Sequence, residues 1–375
     1  MGAVQPAAAA AVAAEPSPAD LGYRMPGEWE PHKGTWMGWP QRPDNWRDNA
    51  VHVQREFVAV ATAISQFEPV TVCANEEQVS AARAALPEQV QVMCVPQDDS
   101  WFRDTGPTFI VKEEGGYGGE RSVAGVDWQF NAWGGLEGGL YTSWERDQQV
   151  AGTILGMEGV RRFACPIVME GGSIHVDGEG TLLTTGEAVL SREDIEGWLR
   201  RMLGIQKVIW LPLGLYGDDD TNGHIDNFAC FARPGVVLLA WTDDTSDPQH
   251  SISAQALDVL SKSTDAKGRP LQVIKLPLPP PLHITETEAK GVEVLHGSKP
   301  RVAGDRMAAS YANYYICNGG VVMPAFGGEA AAADEQARQV LAEVYPERRV
   351  VAVQSREILL GGGNIHCITQ QQPAE

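Results

Sequence analysis

The chain has 375 residues, 43% of them hydrophobic, enough for a large buried core. Twenty-nine Lys and Arg face 49 Asp and Glu, and the formal charge of −20 repels nucleic acid and anionic membranes while attracting small cations. Acidity alone also serves solubility, and no stretch reaches the roughly 18 apolar residues of a membrane span.

Residues 1–20 form an Ala/Pro tract, expected to be a disordered tail and too poor in basic charge for a signal or transit peptide. Gly2 lacks the downstream Ser or Thr of a myristoylation signal, since Pro6 stands there. No composition shift divides the remainder, so 21–375 reads as a single domain. Amphipathic spacing predicts helices over 54–67, 76–86, 143–156, 191–203, 251–265 and 334–345. Asn75 with Gln78 and Ser191 with Asp194 are arranged like capping boxes. Val- and Ile-rich runs at 69–74, 207–212, 272–277 and 348–354 read as strands, giving an α/β alternation.

A glycine-to-strand block recurs along the chain. Gly171-Gly172-Ser173-Ile174-His175-Val176 reappears as Gly362-Gly363-Asn364-Ile365-His366-Cys367. Looser relatives begin at Arg103, Gly223 and Cys317. Five such blocks, unevenly spaced among helix–strand units, suggest a closed ring of five modules rather than an open solenoid.

Six cysteines are scattered singly, with no CxxC pair and no Cys/His cluster at zinc spacing. That pattern fits a reducing compartment, the cytoplasm by default, and offers no metal site. Cys73, Cys94, Cys230 and Cys317 lie in apolar runs and read as small core hydrophobes. Cys367 differs: it follows three glycines and precedes a polar run, where backbone freedom permits close approach to a ligand. A nucleophilic thiol needs a proton carrier, and His224 is the strongest candidate. Read as a strand, His224 and Asp226 would share a face, whereas His366 would point away from its neighbour Cys367. In the segment 98–107, Asp99, Trp101 and Arg103 would likewise share a face, near Asp104. Carboxylate with tryptophan suits a planar cation. Glu170, before a glycine pair, could orient a histidine or grip an amidinium. One Cys, one His and several carboxylates favour a cationic electrophile such as a guanidinium carbon.

The motifs EWEPHKGTWMGWP (28–40), DDSWFRDTGP (98–107), EGGSIHVDG (170–178), GHIDN (223–227) and GGGNIHCITQQQP (361–373) resemble those of agmatine deiminases, particularly the plant and algal type. Asn222, where Asp would be expected, is a minor departure. The resemblance implies the five-module pentein propeller with pseudo-fivefold symmetry and hydrolysis without a cofactor. It further implies Cys367 as nucleophile, His224 as general acid and base, and Glu170 as the carboxylate orienting it. Asp104 and Asp226 would hold the guanidinium, and Trp101 would pack on the substrate. Asp218 and Asp220 are candidates for the distal amine of agmatine. Free or peptidyl arginine is the alternative substrate; a non-catalytic pentein-shaped binder and a papain-like hydrolase are the remaining rivals. An acidic α/β enzyme of this size is expected to be a homodimer.

Overall fold

The computed structural model of the protein describes residues 16–114, 121–186 and 192–375. Five small sheets follow one another along the chain. Four have three strands each. They are Thr108–Glu113, Arg121–Gln129 and Arg161–Val168; His175–Val176, Thr181–Thr185 and Lys207–Leu211; Ala229–Arg233, Val236–Trp241 and Gln272–Pro277; and Tyr315–Cys317, Gly320–Ala325 and Arg349–Gln354. In each, the first two strands pair antiparallel and the third joins parallel after a helical crossover. These crossovers are Asp147–Glu158, Arg192–Leu203, Pro248–Lys262 and Ala331–Val344, and a parallel neighbour requires such an excursion of the chain.

The fifth sheet joins the two ends of the chain. Thr369–Pro373 pairs antiparallel with His32–Gly38, which pairs parallel with Val70–Ala74 and onward to Gln91–Cys94. Helix Val51–Ile64 makes its crossover. The ring therefore closes on itself, as expected of a five-module α/β propeller of the pentein type. Apolar clusters fill the spaces between helices and sheets; one joins Phe57, Ile64, Val72 and Ile358, and another joins Leu239, Ala256, Leu260 and Ile209.

Several local expectations need correction. Residues 16–20 are ordered: Ser17 and Asp20 cap each other through paired hydrogen bonds, and Ala19–Leu21 forms a 3-10 turn. Residues 1–15 and Ser191 lie outside the described residues. Asn75 does not cap a helix. Its side chain pairs with the backbone of Gln97, and the helix begins only at Val79. Helix Pro248–Lys262 starts earlier than the apolar periodicity indicates, because Asp247 accepts from the backbone of Gln249 and proline occupies the first turn. Cys94 is exposed at the end of an outer strand, not in the core, whereas Cys73, Cys230 and Cys317 are buried. The Cys317 block proves to be a hairpin turn; the counterpart of the other blocks is the turn at Tyr311–Asn313, just before the first strand of that module.

Candidate active site

Each module delivers one turn to the middle of the ring immediately before its first strand. These turns are Phe102–Thr105, Gly171–Ser173, Ile225–Asn227, residues 311–313 and residues 365–368. Hydrogen bonds join them in a closed circuit. Gly172 N donates to Asp104 Oδ1 at 2.8 Å, and His224 Nε2 donates to Glu170 Oε2 at 2.9 Å. Asn313 Nδ2 donates to Asn227 Oδ1 at 2.9 Å and to the sulfur of Cys367 at 3.0 Å. The backbone N–H of Arg103 then donates to the carbonyl of Cys367 at 3.0 Å, completing the circle.

These segments are helical turns, not the strands read from sequence. A strand would send alternate side chains to opposite faces. A tight turn gathers neighbours together, so His366 and Cys367 both reach the carboxylate of Asp226, at 2.9 and 3.4 Å. The expectation that His366 turns away from the site is thus corrected.

Cys367 is 3% exposed. Burial pushes its thiol well above the ordinary range, and the negative charges of Asp226 and Asp104 push further, so the free protein holds a thiol here. Its S–H points at Asp226 Oδ2, while its amide N–H donates to Asn313 Oδ1. His224 is equally buried. Burial works against its charge, but Asp104, Glu170 and Asp226 outweigh it and carry the imidazole up to about 10. Its Nδ1 lies 4.0 Å from both Asp104 Oδ2 and Asp226 Oδ1. Neither His224 Nδ1 nor Asp226 Oδ1 has a hydrogen-bond partner, although both are buried. Buried polar atoms are ordinarily satisfied, so this pair marks a place for a ligand.

Asp104 is pushed up to about 6, first by burial and then by Glu170 and Asp226, against the pull of His224. Asp226 is held below the ordinary carboxylate range: burial opposes this, but His366 and His224 prevail. Trp101 donates its indole N–H to Asp99 Oδ2 at 3.0 Å and packs 5.0 Å from Trp46. A side-chain carbon at Gly363 would come within 2.7 Å of the Trp101 ring and 2.9 Å of the Cys367 sulfur, so glycine lets ring and thiol approach each other. Asn222 has φ 55°, a left-handed conformation that Asn and Asp both tolerate.

Asp218 and Asp220 flank this circuit, Asp218 touching it through Asn227. They line a cavity of about 480 Å³ together with Tyr216, Lys299 and Gly362. Asp220 pairs with Lys299 and Arg301, and Asp218 accepts from Thr221 and Asn227. Of four further residues at the site, Trp133, Asn313 and Glu28 carry no role in the sequence reading, and His366 is turned the wrong way there. Trp133 donates to Asp104 Oδ2 at 2.9 Å, Asn313 holds the sulfur, and His366 and Glu28 lie beneath Asp226. Glu28 stands in a quoted motif without an assigned role. Asn313 sits in an ordinary-looking loop and offers no signal.

The chain matches the Porphyromonas-type peptidyl-arginine deiminase family over residues 24–373. It is 54% identical to an agmatine deiminase of Medicago truncatula over 371 residues, covering 96% of this chain and 99% of the relative. It is 55% identical to an agmatine deiminase of Stutzerimonas stutzeri over 368 residues, covering 96% and 97%. The solved structure of the Enterococcus faecalis agmatine deiminase superposes with a TM-score of 0.89 at 42% identity, covering 96% of this chain and 98% of that one. The chain belongs to the Porphyromonas-type peptidyl-arginine deiminase family and, within it, to the agmatine deiminases.

Proposed function

We propose that the protein hydrolyses agmatine to N-carbamoylputrescine and ammonia, a step toward putrescine and the polyamines. The observation that carries this reading is the unsatisfied pair, His224 Nδ1 and Asp226 Oδ1, facing Asp104 across a buried gap beside the Cys367 thiol. Two carboxylates around a gap of that size suit a flat guanidinium, which offers N–H groups to both.

The chemistry proceeds in two halves. As the cation settles between Asp104 and Asp226, its positive charge lowers the cost of ionising Cys367, and the thiol proton is released to solvent, where the ammonia that leaves later takes it up as ammonium. The thiolate attacks the guanidinium carbon and forms a C–S bond. His224, protonated at neutral pH and oriented by Glu170, gives its proton to a departing amino group, and ammonia leaves. The neutral imidazole then takes a proton from water, whose oxygen attacks the S-alkylthiouronium carbon. The C–S bond breaks, and the extra proton on the urea oxygen returns to the sulfur. General acid–base assistance of this kind contributes roughly 10² to 10⁴ in rate. Trp101 packs beside the reacting carbon. Asp218 and Asp220 are offered to the distal ammonium; binding at Asp220 requires Lys299 or Arg301 to yield.

The burial of Cys367 and His224 favours a slender free amine over a peptide-borne arginine. Ammonia release from agmatine, free arginine and a peptidyl-arginine, measured side by side, tests the substrate. Turnover confined to arginine or its peptide would refute agmatine. No helix among the described residues is long and apolar enough to cross a membrane. A cytoplasmic homodimer is the assembly we propose, on the strength of the scattered free cysteines and the usual symmetry of such enzymes.

A further inference from the structure

Beneath the cavity lies a buried cluster that the proposed chemistry leaves unused. It consists of Glu28, Arg103, His175 and His366, none more than 5% exposed. His366 immediately precedes Cys367. Its Nδ1 lies 2.9 Å from Asp226 Oδ2 and its Nε2 lies 2.8 Å from Glu28 Oε1. A ring nitrogen facing a carboxylate at that distance donates, so with both nitrogens engaged the ring carries both protons and a positive charge. Arg103 lies 3.4 Å from the same Glu28 oxygen. His175 accepts the backbone N–H of Phe231 on Nδ1, leaving its Nε2–H toward Glu28 at 3.6 Å. Two carboxylates therefore meet two cations and one neutral ring, a charge balance that burial demands. The three ligand atoms of Glu28, His175 and His366 are also close enough to hold a metal ion, yet both His366 nitrogens are committed as donors and Arg103 stands alongside.

The consequence falls on Asp226. Its Oδ2 is held by His366 and by the thiol, while Oδ1 stays unpartnered at the cavity. We infer that His366, clamped between Glu28 and Asp226, is a positioning residue for guanidinium recognition: it turns Asp226 so that Oδ1 faces the substrate. This deepens the proposed function and rests on it. The charged and titratable groups facing Asp226 include His366, His224, Asp104, Cys367 and Cys230; those facing His366 are Asp226, Glu28, Arg103 and His175. The direction of the Asp226 shift agrees. Burial would raise it, but the hydrogen bond and charge of His366, with His224, hold it low.

The test compares His366→Gln with His366→Asn. The Gln amide reaches toward Glu28 but loses Asp226, whereas the Asn amide sits where Nδ1 did and still donates to Asp226. With the fold verified by thermal melting, His366→Gln is expected to raise KM for agmatine by about 10- to 100-fold, the usual cost of a lost hydrogen bond to a buried charge. Its kcat should fall less. His366→Asn, whose amide still donates to Asp226, should recover most of KM. A KM within a few-fold of wild type in His366→Gln, or an equal loss in His366→Gln and His366→Asn, overturns the inference. If both variants fail to fold, wild-type protein with ¹⁵N-labelled histidine rings decides: His366, assigned through its backbone, must carry protons on both nitrogens at neutral pH, and a neutral ring overturns the inference. Wild-type protein that releases no ammonia from agmatine would remove the underlying reading and this inference together, an outcome distinct from failure of the variants alone.

Discussion

Gly172 packs directly against three of the site's polar groups: its N–H donates to Asp104 Oδ1 at 2.8 Å, and a carbon added to it would stand 2.6 Å from His224 Nδ1 and 2.9 Å from Asp226 Oδ2. The backbone here does not require glycine for its φ, so Gly172→Ala should fold. It should nevertheless displace the imidazole or the carboxylates by a few tenths of an ångström or more. Misplacement on the ångström scale costs about 10² in rate. A loss of kcat/KM near that size is expected, and activity within a few-fold of wild type would show that the cavity is roomier than drawn.

The pH profile of kcat/KM should have two identifiable limbs. In the proposed chemistry Asp104 must be ionised to hold a guanidinium, and its free-enzyme value is about 6, so activity should fall as pH drops through that value. The same proposal needs His224 protonated to give ammonia its proton, so the alkaline limb should fall as pH rises toward about 10. An acid limb near the ordinary carboxylate range would contradict the role of Asp104.

Glu170→Gln should move the alkaline limb downward, because a hydrogen-bonded carboxylate that favours the imidazolium is lost. The same substitution has a stability signature. His224 rises on folding from an ordinary 6.5 to about 10, so its contribution is complete below 6.5 and vanishes as pH climbs through 10. Melting temperature should therefore decline across that window in the wild type and less steeply in Glu170→Gln. Parallel melting curves would count against the pairing.

Trp133 and Ala132 both sit in left-handed backbone, at φ 58° and 54°, conformations costly for residues with side chains. The indole reached by that strain donates to Asp104 Oδ2. Trp133→Phe keeps the ring and removes the donor, which should lower kcat/KM by about 5- to 10-fold and shift the acid limb upward. A steady-state profile indistinguishable from wild type would reduce Trp133 to packing.

Two thiols should separate by reagent. Cys94 is exposed and Cys367 is buried with its thiol protonated in the free protein. A neutral alkylating agent should mark Cys94 first, and a haloamidine, which carries the substrate's charge into the cavity, should mark Cys367. Cys367→Ala should abolish turnover, while Cys94→Ala should leave kcat within a few-fold. Mass spectrometry of the labelled peptides checks both.

The α/β alternation was readable because amphipathic helices and Val-rich strands are set by local patterning: the runs at 207–212 and 272–277 fall on the observed strands Lys207–Leu211 and Gln272–Pro277. The turn segments were not. Around His224 and Cys367 the sequence is short, polar and glycine-rich, and its conformation is imposed by five turns bonding to one another in the centre of the ring. The motifs named the chemistry-bearing side chains without showing their directions, and alternation along an imagined strand placed His366 on the wrong side. Asn313 contributes through tertiary contact alone, from 54 positions before the sulfur it holds.

The sheet that joins the two chain ends makes reactivity a reporter of completed folding. The stretch ending in Thr369–Pro373 both shuts the ring against His32–Gly38 and brings the sulfur beside Asp226. A partly assembled molecule with that last strand undocked lacks the approach of the Cys367 sulfur to Asp226. Capture of a haloamidine during refolding should thus trail the appearance of helix and coincide with the docking of the terminal strand.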